Sequence, residues 1–201
     1  MTGVQTCALP ICLSTPNNRN MVLFPEKIGG HYVRLERPMA DFGERNCNYD
    51  VWTSDSPDLV YWGNPKMVLD DRMVPFANLK IGPAAPPIKT EKGWLTTFHA
   101  VDYDESRGKN GWAEKWELRY SAGIMLLDLD DPSKVLGLYK DAFMAPELDF
   151  ETDIGFRQNT IFPGGMILEP DGEVKIYYGA SDTVKCLATA NVDDLIKLCI
   201  E

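Results

Sequence analysis

The sequence predicts an all-β fold of the propeller type. Three observations point to it. A strand-turn-strand unit recurs three times, each copy turning on a glycine, at Gly30, Gly93 and Gly172. Each copy runs on into a further strand and then an acidic, turn-forming stretch. Helical periodicity is weak throughout, with Val192–Leu198 able to form no more than a short turn. Self-similarity on this scale is the signature of stacked repeats, and a propeller places its chemistry where the blades meet on the axis.

The first unit is Phe24-Pro25-Glu26-Lys27-Ile28 followed by Tyr32-Val33-Arg34-Leu35-Glu36-Arg37. The second is Pro86-Pro87-Ile88-Lys89-Thr90 followed by Trp94-Leu95-Thr96-Thr97-Phe98-His99. The third is Phe162-Pro163-Gly164-Gly165-Met166-Ile167 followed by Val174-Lys175-Ile176-Tyr177-Tyr178. The strands that follow are Tyr49–Thr53, Arg119–Leu127 and Val184–Ala190, running into Ser56-Pro57-Asp58, Asp130-Asp131-Pro132 and Asp193-Asp194. Asp-Pro and Ser-Pro pairs are strong turn punctuation. The glycines are 63 and then 79 residues apart, so the second unit carries an insertion, and repeat folds place insertions in loops on one face. It falls at Asp102–Glu117, a charged stretch with Trp112 and Trp116 that reads either as a sugar platform or as a packed surface loop. Three units are too few for a ring of about 4–8 blades, so about three blades of a larger propeller are expected here.

The first twelve residues stand apart. Met1–Ile11 resembles a translated sequencing-library adapter, and it lacks the basic start and unbroken apolar run of a signal peptide. The expected organisation is an artefactual leader over 1–12 and a single partial propeller domain over 13–201.

Composition narrows the function classes. The chain is 44% hydrophobic and 25% charged, as globular domains are, and no apolar run is long enough for a membrane span. A net charge of −10 argues against nucleic acid as a partner but leaves room for a local anion site. Of five cysteines, Cys7 and Cys12 fall in the leader. Cys47, Cys186 and Cys199 follow no disulfide spacing and read as reduced thiols of a cytoplasmic protein. With two histidines and no Cys/His cluster, no metal site is expected.

Several residues can carry chemistry. Arg19 and Arg37 flank the first unit and can converge at its end, where guanidinium forks match phosphate or carboxylate oxygens; both can equally be surface arginines. Lys80 and Lys89 can each add a point charge or remain solvated. His99 takes the place that Glu36 and Tyr178 take in the other units, so it belongs either to an axial site or to the structure of its strand. Asp182 follows Tyr177-Tyr178-Gly179-Ala180-Ser181 and reads as a sugar-binding carboxylate beside aromatics or as a turn residue. Phosphate loops of the Walker or Rossmann type and a serine elbow are missing from the sequence, which leaves carboxylate chemistry.

These motifs, together with Leu35-Glu36-Arg37-Pro38, Ser56-Pro57-Asp58-Leu59, Leu126–Val135 and Tyr177–Thr183, resemble glycoside hydrolase family 130 from Asn17 onward. The resemblance implies a five-bladed β-propeller and a β-mannoside phosphorylase. In such enzymes inorganic phosphate attacks the anomeric carbon with inversion, giving α-mannose 1-phosphate; phosphate is a co-substrate, and no cofactor is needed. The resemblance puts Arg19, Arg37 and Lys80 on phosphate-binding positions, with His99 and Tyr120 beside them. It puts Asp182 on the sugar, where Trp112 and Lys89 are further candidates. The basic set favours phosphorolysis over hydrolysis. The family's general acid lies in a Glu-Asp-Pro-Arg motif that this sequence does not contain, so no catalytic acid is assigned, and neither Asp50 nor Asp182 is promoted to that role. The Arg107–Trp112 stretch resembles the subgroup that cleaves 4-O-β-D-mannosyl-D-glucose to glucose. The alternatives are a β-1,4-mannooligosaccharide phosphorylase, a β-mannosidase and a non-catalytic carbohydrate-binding propeller. The chain alone is expected to be inactive and poorly stable, and prone to self-association as a homo-oligomer through open blade faces.

Overall fold

A computed structural model describes residues 17–39, 49–107 and 117–201. They form three antiparallel sheets in chain order, each a meander. Strands β1 (Asn18–Leu23), β2 (Tyr32–Pro38), β3 (Val51–Ser56) and β4 (Gly63–Leu69) make the first. In the second, β5 (Lys80–Pro83) and the short β6 (Ile88–Lys89) both pair with β7 (Trp94–Tyr103), which pairs with β8 (Leu118–Leu127) and it in turn with β9 (Val135–Leu138). A single helical turn, α1 (Asp149–Thr152), precedes the third sheet of β10 (Ile161–Leu168), β11 (Glu173–Ala180) and β12 (Val184–Asn191), and helix α2 (Val192–Ile200) closes the chain.

Alternation along the strands decides how the sheets stack. On β2, Val33 and Leu35 point one way into a core shared with Val51, Leu69, Ile81, Trp94, Phe98 and Met125. Arg34 and Glu36 point the other way and pair with each other at 2.7 Å. On β7 the parity splits between two cores. Trp94 and Phe98 pack toward the first sheet, while Leu95 joins Ile124, Val174, Ile176 and Leu195 against the third. The middle sheet is thus covered on both faces, and β7 is buried from Trp94 to Val101. The strands that open neighbouring sheets, β1 and β5, approach one another.

The structure moves three boundaries. In the first unit the opening strand is Asn18–Leu23, and Phe24–Gly30 is the turn. In the second, the opening strand is split into Lys80–Pro83 and Ile88–Lys89, because Pro83, Pro86 and Pro87 cannot donate to a ladder. At the end, α2 is a full helix of nine residues. The Asn191 side chain caps it by accepting from the Asp193 amide at 2.9 Å, and Leu195, Ile196 and Cys199 bury one face. No helix among the described residues is long and apolar enough to cross a membrane.

Candidate functional site

Strand register gathers a group of cations and rings at one end of the first two sheets. Arg19 and Arg37 face each other across β1 and β2. Lys80 opens β5 opposite Val101, and two residues on Gly82 lies opposite His99. Val101 in turn faces Tyr120 on β8. Arg37 is on the core-facing side of β2, as Val33 and Leu35 are, and its Nη1 reaches the His99 Nε2 at 2.7 Å. The Lys80 ammonium lies 5.5 Å from the centre of the Tyr120 ring. From the third sheet, Phe162 stacks on the His99 ring with centroids 4.7 Å apart.

His99 is 1% exposed and its two nitrogens have opposite roles. Nδ1 lies 3.2 Å from the Pro83 carbonyl, which can only accept. Nε2 faces Arg37, whose guanidinium can only donate. The neutral ring with its proton on Nδ1 satisfies both contacts. Burial, then the Arg37 charge and more weakly Lys80, hold the imidazole down to about 3, against a weaker opposing pull from the Pro83 carbonyl. Gly82 is required here, because a Cβ would stand 2.5 Å from the His99 Cε1 and 3.0 Å from the Arg37 Nη1.

Arg37 is 4% exposed, and its Nε has no hydrogen-bond partner. No carboxylate pairs with it among the described residues. Burial pulls its pKa down and Arg19 adds to this, while Tyr120 and Tyr49 oppose. A buried guanidinium without a counter-ion costs several kcal/mol. With Arg19 and Lys80 at the same end, the group can hold a multiply charged oxyanion by charge-assisted hydrogen bonds.

Asp182 is on the tight turn between β11 and β12, where both Ser181 and Asp182 have φ of 50°. It lines a cleft with Phe162, Gly164, Gly179, Thr183 and Lys185. Phe162 thus borders both the cleft and the cation group. The turn is held from behind. The Ser181 hydroxyl donates to the Glu151 carbonyl at 2.9 Å, and the buried Glu151 carboxylate accepts from the Tyr178 hydroxyl at 2.9 Å and from the amides of Glu147 and Leu148.

Arg19, Arg37, Lys80, His99 and Tyr120 are therefore brought together, with Asp182 across Phe162. Lys89 is not. It lies opposite Trp94, seven residues along β7 from the partner of Lys80, or roughly 23 Å at ~3.3 Å per residue. There it pairs with Glu26 at 3.0 Å, because the split opening strand puts β6 at the other end of the blade. Trp112 lies outside the described residues. Sequence reasoning missed Phe162 and Gly82. The aromatic residue before Pro163 was a visible signal for the first; nothing in the sequence marks the close approach at the second.

A family model described as β-1,4-mannooligosaccharide phosphorylase, for glycoside hydrolase family 130, matches residues 11–201. The chain belongs to glycoside hydrolase family 130. Among family 130 proteins, it is 36% identical to the β-1,4-mannooligosaccharide phosphorylase of Ruminococcus albus, over 90% of this chain and 50% of that protein. It is 31% identical to the 4-O-β-D-mannosyl-D-glucose phosphorylase of Bacteroides fragilis, over 96% and 47%. The β-1,2-mannobiose phosphorylase structure of Listeria innocua, in complex with β-1,2-mannobiose, superposes with a TM-score of 0.76 at 31% identity, covering 93% of this chain and 48% of that one. The chain spans about half the length of these relatives. Such neighbours are five-bladed β-propellers, and the three sheets here are blades of that fold. The relatives named here are glycoside phosphorylases, enzymes with phosphate as co-substrate.

Proposed function

We propose that this chain carries the phosphate-holding part of an inverting β-mannoside phosphorylase. The observation that carries this reading is Arg37, a buried cation with a free Nε–H and, among the described residues, no carboxylate partner, grouped with Arg19 and Lys80. Bound phosphate supplies the missing negative charge. One of its oxygens forms a bond to the anomeric carbon from the face opposite the leaving group. The bond from that carbon to the acceptor oxygen breaks, and the acceptor oxygen takes up a proton. The products are α-mannose 1-phosphate and the shortened acceptor. The cations lower the barrier by holding the nucleophile in place and in line. Asp182 and Phe162 supply a hydrogen-bond acceptor and an apolar ring for the mannosyl unit in the adjoining cleft. No general acid is assigned among the described residues.

For the acceptor, the Arg107–Trp112 stretch supports 4-O-β-D-mannosyl-D-glucose, with glucose released. A second reading, β-1,4-mannooligosaccharide phosphorolysis, is favoured by the greater identity to the Ruminococcus albus relative, 36% against 31%. We place the enzyme in the cytoplasm, since the free Cys186 and buried free Cys199 fit a reducing compartment.

The test is product analysis by 31P NMR, using the whole protein with phosphate and mannosylglucose, β-1,4-mannobiose or β-1,2-mannobiose in turn. Phosphate-dependent α-mannose 1-phosphate from one donor supports the proposal and names the acceptor. Free mannose formed without phosphate makes the protein a β-mannosidase, and sugar binding without turnover makes it a carbohydrate-binding propeller.

A further inference from the structure

We propose that His99 serves the anion site as a neutral hydrogen-bond acceptor that positions Arg37, and not as a further cation. The inference rests on the phosphate-site reading above, but its geometry is independent of any ligand. The Pro83 carbonyl on Nδ1 and the guanidinium on Nε2 leave one ring state with both contacts made, since a carbonyl cannot donate and a guanidinium cannot accept. An imidazolium would turn a second N–H toward Arg37, with like charges 2.7 Å apart.

The packing prevents the ring from turning away. Gly82 lies against its edge without room for a methyl group. Phe162 and Tyr120 lie near-parallel to it, with centroids at 4.7 and 6.2 Å. Among the described residues, the charged and titratable groups facing the imidazole are Arg37 from β2, Lys80 from β5 and Tyr120 from β8, with Arg19 behind Arg37. None is a carboxylate that would favour protonation. With Nη1 tied to the ring, the guanidinium is held in one orientation, and its unpartnered Nε–H remains for an anion oxygen. His99 is thus a positioning residue, and the site's charge comes from two arginines and a lysine.

Two measurements on the chain test this. The first is 15N NMR of the imidazoles, with the His99 signals assigned by their loss in His99→Gln. The expected result is the neutral Nδ1–H tautomer across pH 5–8, with a through-hydrogen-bond coupling to Arg37. An imidazolium in that range, or a proton on Nε2, overturns the proposal. The second is calorimetric titration of sulfate, whose charge does not change in this range. Sulfate affinity should not follow a histidine titration. A cationic His99 would instead tighten it by roughly tenfold on acidification, the effect of one pKa unit of interaction. His99→Gln, whose amide oxygen can still accept from Arg37, should retain binding. His99→Lys should lose about tenfold or more, the scale of a charge-assisted hydrogen bond. Lysine binding as tightly as histidine would overturn the proposal. If the unaltered chain binds no sulfate or phosphate, the phosphate-site reading fails, and the NMR tautomer and coupling still decide whether His99 positions Arg37.

Discussion

Gly82→Ala tests the packing of the cation group with one methyl group. Gly82 is outside the left-handed region, so alanine suits its backbone and the entire effect is steric. The added Cβ would meet the His99 Cε1 at 2.5 Å, Nε2 at 2.9 Å and the Arg37 Nη1 at 3.0 Å. An ordinary carbon contact needs ~3.5 Å or more, so the imidazole must move by about 1 Å. Phe162 is stacked on it 4.7 Å away and the Pro83 carbonyl holds Nδ1, so the shift breaks a contact on either side. Overpacking of this kind costs about 1–3 kcal/mol, and the loosened Arg37–His99 bond adds to it. Urea unfolding should show the free energy of unfolding falling by that amount, with phosphate affinity reduced alongside. Gly165→Ala is the control, since its Cβ would meet nothing within 4 Å. If Gly82→Ala is as stable as Gly165→Ala and binds phosphate unchanged, the close approach and the argument built on it are wrong.

Acid should weaken the fold through His99. Its folded-state pKa of about 3 is below the ordinary value near 6.5, so between these pH values the unfolded chain binds a proton that the folded chain does not. This stability is complete above pH ~6.5 and falls by about 1.4 kcal/mol per unit below it, or roughly 2 kcal/mol by pH 5; unfolding midpoints should drop more steeply with acid in the native chain than in His99→Gln, and equal slopes would refute it. Glu151→Ala should destabilise by about 2 kcal/mol in urea, because it strands the buried Tyr178 hydroxyl and removes the acceptor of two part-buried amides; a loss under ~0.5 kcal/mol would show that the clamp behind the Asp182 turn is idle. Asp182→Asn should stay within about 0.5 kcal/mol of the native chain, while Asp182→Val loses about 1–2 kcal/mol, since asparagine tolerates the left-handed backbone and a β-branched residue does not. Both should weaken mannoside binding, and undiminished binding by the asparagine variant would remove Asp182 from the sugar site.

The all-β class, the three units and their glycine turns could be read from the sequence because each second strand, such as Trp94–His99, alternates or runs apolar between clear turn signals. The split second unit could not: proline spacing shows where pairing fails but not that Lys80–Pro83 pairs further along the same strand. That one fact separates Lys80, which joins the arginines, from Lys89, which is carried to the far end. Strand β4 was hidden because it is an edge strand containing Pro65 and largely exposed, so it lacks an alternating pattern. Arg37, His99 and Tyr120 were nameable from the resemblance. The neutrality of His99 was not, since it depends on a carbonyl and a guanidinium that register alone brings to its two nitrogens.

The most direct test of the central claim is calorimetric titration of inorganic phosphate into the native chain and into Arg37→Met. Phosphate bound at Arg37 should raise unfolding stability by about 2.7 kcal/mol at a hundredfold excess over its Kd, and Arg37→Met should abolish both the heat and the stabilisation while remaining folded. Phosphate binding that survives in Arg37→Met, or its absence from the native chain, would contradict the account.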